Sequence, residues 1–187
     1  MESDWAGFTV ACMASGPSLT HEDALLVRNW RESAENRRVI VTNTTFKMAP
    51  WADVLFAMDS RWWLKHGREA EAEFAGERLT VARGASPGAE KVDLPFSGNS
   101  GACSIMLSKV RGASRVILLG YDCQYTGGKR HWHGDHPKGL GNCQSMPRFP
   151  GQFEQLLRYI GGLDVVNASR ATVLDLWPRK PLEECLC

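Results

Sequence analysis

Short apolar runs alternate with polar clusters and helix-period stretches along most of the chain. Residues 8–13 (FTVACM) form a compact apolar run, and residues 14–18 (ASGPS) end it. Thr20 with Asp23 marks a helix start, and Ala24, Leu25, Leu26, Val27 and Trp30 are expected to make that helix's buried face. Residues 39–41 read as a second strand, closing at Thr42, Asn43, Thr44 and Thr45. Residues 53–58 (DVLFAM) read as a third, closing at Asp59. The stretch 61–75 has a helical pattern. A weaker strand at 79–82 precedes a loop containing Gly and Pro, and 101–110 is again helical, with Ala102, Ile105, Met106 and Val110 on one side.

Residues 115–120 (RVILLG) are the strongest strand of the chain and close at Tyr121 and Asp122. A long polar loop, rich in Gly, His and Pro, then runs over about 124–148. A helix is expected over 150–161, a last strand over 164–166 ending at Asn167, Ala168 and Ser169, and a closing segment with a short helix from Pro178. Continuous apolar strands alternating with helices predict an α/β fold: one Rossmann-like domain over residues 1–187, with a mostly parallel sheet and helices on both faces. Ligands of such sheets bind outside the carboxyl ends of the strands. Here Gly16, Pro17, Ser18, Asn43, Thr44, Asp59, Asp122 and Asn167 all follow a strand directly, so the fold gathers them on one rim.

Composition narrows the function classes. The chain has 187 residues, 43% of them apolar, and 22 Lys plus Arg against 21 Asp plus Glu. That balance excludes a chain-wide basic surface for non-specific nucleic-acid binding, although it permits a local patch. No apolar run reaches the roughly 18 residues that span a bilayer. The first ten residues carry acidic side chains where a signal peptide needs basic ones, so a cytoplasmic protein without a membrane partner is expected. Nothing in the sequence specifies an oligomeric state. Six scattered cysteines without a CxxC pair point to reduced thiols.

Four constellations can carry chemistry. Gly16, Pro17 and Ser18 form a tight loop before a helix, where glycine admits a ligand and backbone N–H groups attract anions; a plain turn capped by Ser18 is the alternative. A second such loop, 97–101 (SGNSG), brings Asn99, Ser100 and Gly101 to the next helix start. Neither matches GxGxxG or a P-loop; together they suit the phosphate and sugar of a nucleotide. The strand-end carboxylates Asp59 and Asp122 can accept from sugar hydroxyls, ligate a divalent ion or act as a base, or simply cap a helix and order a loop. The segment 131–136 (HWHGDH) places His131, Trp132, His133, Asp135 and His136 beside Lys129, Arg130 and Lys138. It reads as a general-base and binding loop, with a metal site or a structural loop as alternatives. Of seven tryptophans, Trp51, Trp62, Trp63 and Trp132 are expected near the rim and Trp5, Trp30 and Trp177 in the core.

The segments 14–19 (ASGPSL), 43–44 (NT), 49–53 (APWAD), 59–63 (DSRWW), 98–101 (GNSG), 118–122 (LLGYD), 131–137 (HWHGDHP) and 166–169 (VNAS), with Pro178 and Arg179, resemble a phage and prophage family of largely unassigned function. The resemblance covers nearly the whole chain. The same order of elements is similar to two better understood groups, the bacterial oligosaccharide sialyltransferases and the pterin pyrophosphokinase-like proteins. The resemblance implies that Gly16, Pro17, Ser18, Asn43, Ser100 and Gly101 hold a nucleotide. It also implies that Tyr121 and Asp122 border the donor sugar and that a loop histidine is the base; the chain offers three candidates there, and His133 is placed first and His131 next. The chain lacks the lid region of those sialyltransferases, which speaks against a sialic acid donor.

The expectation is therefore a phage-encoded glycosyltransferase acting in the host cytoplasm, with a nucleotide-sugar donor, no resident cofactor and no metal. Its acceptor is a hydroxyl, a hydroxymethylated DNA base being one candidate. For DNA, Lys129, Arg130, Lys138 and Arg148 would form a basic lip and Trp132 would stack on an extruded base. The alternatives are a Mg²⁺-dependent pyrophosphokinase or nucleotidyl transferase using Asp59 or Asp122, and a nucleotide-binding module without turnover.

Overall fold

Strands with no polar face need cover on both sides, and the chain supplies it with one sheet between two helical layers. The computed structural model describes residues 4–135, 140 and 145–187. Within them the strands are β1 (Thr9–Met13), β2 (Arg37–Thr42), β3 (Val54–Phe56), β4 (Glu77–Thr80), β5 (Glu90–Lys91), β6 (Arg115–Leu119) and β7 (Asp164–Asn167). They form a single sheet in the order β5-β4-β3-β2-β1-β6-β7, and every pairing in it is parallel.

Side chains alternate between the two faces with the strand period of two. Ala11, Met13, Val39, Val41, Ile117 and Leu119 face the layer made by α1 (His21–Glu32), α2 (Ser60–Glu73) and α5 (Leu182–Cys185). Val10, Cys12, Ile40, Val116 and Leu118 face the layer made by α3 (Ser100–Val110) and α4 (Phe149–Leu156). Helix α3 is buried over eight of its eleven residues, from Gly101 to Ser108. Its small side chains let it lie close on the sheet. The hydroxyls of Ser104 and Ser108 donate to the backbone carbonyls of Ser100 and Ser104, four residues back, so they enter the core with partners.

Four local expectations are corrected. Leu25 and Leu26 point outward, 59% and 38% exposed, because α1 buries Asp23, Ala24, Val27 and Trp30 instead. The loop after β4 contains the edge strand β5, and a helix expected over 150–161 is α4, shorter and starting at Phe149. Trp51 lies away from the rim, in a hollow at the other end of the strands with Arg38, Asp53 and Glu77. Among the described residues no helix is long and apolar enough to cross a membrane.

Cys12, Cys103, Cys123, Cys185 and Cys187 are all free thiols, and Cys143 lies outside the described residues. Burial pushes the Cys12 thiol up to about 12 and the Cys103 thiol up to about 11. A thiolate is the reactive form. At pH 8 an alkylating reagent should therefore leave Cys12 and Cys103 unmodified in the native protein and label both in denaturant. Peptide mass spectrometry reads this directly, and fast native labelling of either would show that α3 does not stay packed on the sheet.

Candidate functional site

After β1 the chain turns toward β2, whereas β6 is entered from the far edge of the sheet. The connections leaving β1 and β6 therefore diverge and open a crevice at their carboxyl ends. Ala14, Ser15 and Gly16 follow β1 into this crevice, Asn43 follows β2, and Tyr121, Asp122 and Cys123 follow β6. The start of α3 closes it from the other layer. Of the residues anticipated on the rim, Gly16, Asn43 and Asp122 meet in this crevice, whereas Asn167 is fully buried and donates to the Leu174 carbonyl.

Asp122 organises the first wall. Its Oδ2 accepts from the Ser18 backbone N–H at 2.9 Å and the Thr126 hydroxyl at 2.7 Å, and its Oδ1 from the Ser18 hydroxyl at 2.6 Å. Burial raises its pKa from the ordinary aspartate value, partly offset by these donors. With both oxygens engaged, Asp122 holds the 16–18 loop against the start of the long loop. The loop can approach this closely because residue 16 has no side chain: a Cβ there would overlap Asp122 Oδ1 and the Gly120 carbonyl. Pro17 and Ser18 line no part of the crevice, and Ser18 serves it through its two bonds to Asp122.

The second wall is a polar seam that joins the ends of β2 and β3 to the start of α3. The Met58 backbone N–H donates to Ser100 Oγ at 3.2 Å, and the Ser100 hydroxyl donates to Asn43 Oδ1 at 3.3 Å. Asn99 caps α3 by accepting from Ala102 N–H at 3.0 Å, and its Nδ2 donates to Gln152 Oε1 of α4 at 2.9 Å. The first-turn N–H groups of Ser100 and Gly101, which have no acceptor within a helix, border the crevice. Tyr121 underlies this turn and donates to the Gly101 carbonyl at 3.1 Å. Burial holds its phenol well above the ordinary value, so it stays a donor. Asn43 and Cys123, the non-glycine residues with left-handed backbone among those described (φ 49° and 52°), both line the crevice. Such conformations cost energy and persist where the surroundings enforce them.

The crevice has two compartments. The first, about 120 Å³, is bordered by Gly16, Asn43, Gly101, Tyr121, Asp122 and Arg130. The second, about 280 Å³, lies toward α2 and is bordered by Met58, Asp59, Trp62, Leu140, Ser145 and Gln152. Asn43, Asn99, Ser100, His131 and Phe149 border both. Each is smaller than the roughly 300–1,000 Å³ of ordinary small-molecule pockets, and jointly they fall within that range.

The histidine loop reaches the site through Trp132. Its backbone N–H donates to the Ser15 carbonyl at 3.1 Å, its indole N–H donates to Thr45 Oγ1 at 3.3 Å, and its ring stands at right angles to His21. Trp132 therefore staples the loop to the ends of β1 and β2 and borders neither compartment. On either side of it, His131 and His133 stack nearly parallel at 4.9 Å. His131, 7% exposed, is on the shared wall, whereas His133 borders neither compartment. Arg130 pairs with Asp135 at 3.3 Å and faces the first compartment; Lys129 is exposed outside it. Thr44 is buried behind the rim and accepts from the Trp62 indole at 3.3 Å. Asp59 caps α2 through the Arg61 N–H at 2.9 Å and stays exposed at the edge of the second compartment.

His136 and Lys138 lie outside the described residues. Among the described residues, no group of three or more His, Cys, Asp or Glu side chains is placed to hold a metal ion. Cys123, Phe149 and Gln152 were not anticipated: no motif marks them, and only the register of the loop and α4 brings them in. No family model and no curated protein matches the chain.

Proposed function

We propose that the protein transfers a sugar from a nucleotide sugar to a hydroxyl acceptor in the crevice above β1, β2 and β6. One observation carries this reading: the crevice is divided, with the cation Arg130 on one side and both the α3 start and His131 on the dividing wall. The nucleotide occupies the first compartment, where Arg130 and the Ser100 and Gly101 N–H groups face its phosphate. The acceptor oxygen attacks the anomeric carbon as the bond from that carbon to the phosphate oxygen breaks. His131 takes the acceptor's proton, and the electron pair leaves with the nucleotide, whose growing charge the α3 start stabilises. The resemblance to the sialyltransferase-like group supports the same assignment.

A DNA acceptor would be met by the exposed Lys129 and Arg148, without stacking on Trp132, whose indole is engaged. The Mg²⁺-dependent alternative would draw on Asp122 or Asp59, which border different compartments.

A thermal-shift panel of CMP, UDP, GDP, ATP and their sugar conjugates, with and without EDTA, tests the proposal. A ligand at 100 times its Kd stabilises the fold by about 2.7 kcal/mol, a rise in Tm of about 5–10 °C for a chain of this size. A shift by a nucleotide sugar that survives EDTA is the expected result. A shift with ATP and Mg²⁺ alone would transfer the assignment to pyrophosphoryl transfer, and no shift across the panel would overturn it.

A further inference from the structure

We infer that the second compartment is a subsite for a neutral, polyhydroxylated sugar and that Asp59 makes it reject sugars carrying a carboxylate. The inference rests on the nucleotide-sugar reading, since it assigns the sugar half of such a ligand. The two compartments differ in chemistry. Arg130, which suits an anion, borders the first alone, whereas the α3 start borders both through Asn99 and Ser100. Among the described residues no Lys or Arg borders the second, and its one carboxylate is Asp59, exposed at its edge.

The rest of the second compartment suits a ring with an apolar face and a hydroxyl rim. Met58, Trp62, Leu140 and Phe149 supply apolar surface, and Ser145 and Gln152 supply hydrogen-bonding groups. Gln152 spends Oε1 on Asn99 Nδ2, which leaves its amide NH₂ to donate to a sugar oxygen. Asp59 is an acceptor-only group and takes a sugar hydroxyl readily. A sugar carboxylate in the same place meets a like charge with no described cation beside it. Occupation of this compartment also puts the bond between sugar and phosphate at the shared wall, next to His131.

The test uses calorimetry on the full chain with matched ligands: UDP, UDP-glucose and UDP-glucuronate; GDP and GDP-mannose; CMP and CMP-sialate. For the nucleotide that binds, its neutral conjugate should bind about tenfold tighter than the bare nucleotide and its acidic conjugate no tighter, UDP testing both arms, GDP the first and CMP the second. In Asp59→Asn the neutral gain should shrink and an acidic conjugate should improve about tenfold, with affinity for the bare nucleotide unchanged. Asparagine caps a helix as well as aspartate does, so this variant keeps α2 intact. An acidic conjugate bound as tightly as a neutral one, or Asp59→Asn behaving like the wild type, would overturn the inference and leave the nucleotide reading standing. Absence of binding by every nucleotide would remove both.

Discussion

Replacing His131 with alanine should lower kcat for sugar transfer by about 10²–10⁴-fold, the usual contribution of a positioned general base. Nucleotide affinity should change little, because Arg130 and the α3 start remain. The side chain is suited to this role by position: it stands on the wall common to both compartments and is 7% exposed, so a proton it receives passes inside the site. His133→Ala should cost far less, about tenfold, since that ring supports His131 by stacking and borders neither compartment. Single-turnover kinetics with the donor found in the thermal-shift panel separates the two. The acid limb of the pH–rate profile should disappear in His131→Ala and persist in His133→Ala. Equal rates for wild type and His131→Ala, with matched melting temperatures, would remove His131 from the chemistry.

Asp122→Ala should destabilise the protein by about 2–4 kcal/mol, because it leaves the Ser18 N–H and two hydroxyls without their acceptor in a buried place. Gly16→Ala should cost about 1–3 kcal/mol by overpacking, toward the upper end because a backbone carbonyl and a pinned carboxylate block the new methyl. Both variants should weaken nucleotide binding along with stability, since the same bonds shape the first compartment. The pH dependence has a distinctive sign. Asp122 holds its proton more tightly folded than unfolded, so between the ordinary aspartate value and its raised folded value the native state binds more protons. Its contribution to stability therefore falls as pH rises through that window. Comparing wild type with Asp122→Asn by denaturant titration across acidic pH isolates it. A wild-type advantage that grows with pH would show that the three donors outweigh the burial.

The mostly parallel α/β layout and the strand-end positions of the polar clusters were legible because each central strand is a short apolar run followed at once by a polar cluster. That pattern has few other solutions. β5 was not legible: Glu90 and Lys91 carry no apolar signal, and pairing with Leu79 and Thr80 alone makes them a strand. Leu25 and Leu26 show the opposite failure, apolar residues on a plausible helical face that packing turns outward. The choice between His131 and His133 was beyond sequence reasoning because two residues separated by one in a loop have no intrinsic direction. The bonds from Trp132 to Ser15 and Thr45, long-range in the chain, set which ring enters the crevice. Asp122 was visible as a candidate, but its engagement with Ser18, 104 positions earlier, was not.

The same separation bears on how the protein is made. β1 sits between β2 and β6, and its second neighbour emerges only after most of the chain has been synthesised. At about 5–20 residues per second, the growing polypeptide waits on the order of 5–20 s with one edge of this interior strand unpaired. That edge is Val10, Ala11, Cys12 and Met13, wholly buried in the finished molecule and therefore sticky until then. High contact order of this kind slows folding. It also makes the crevice among the last features to form, so a ligand of this site can rescue only chains that have already closed the sheet.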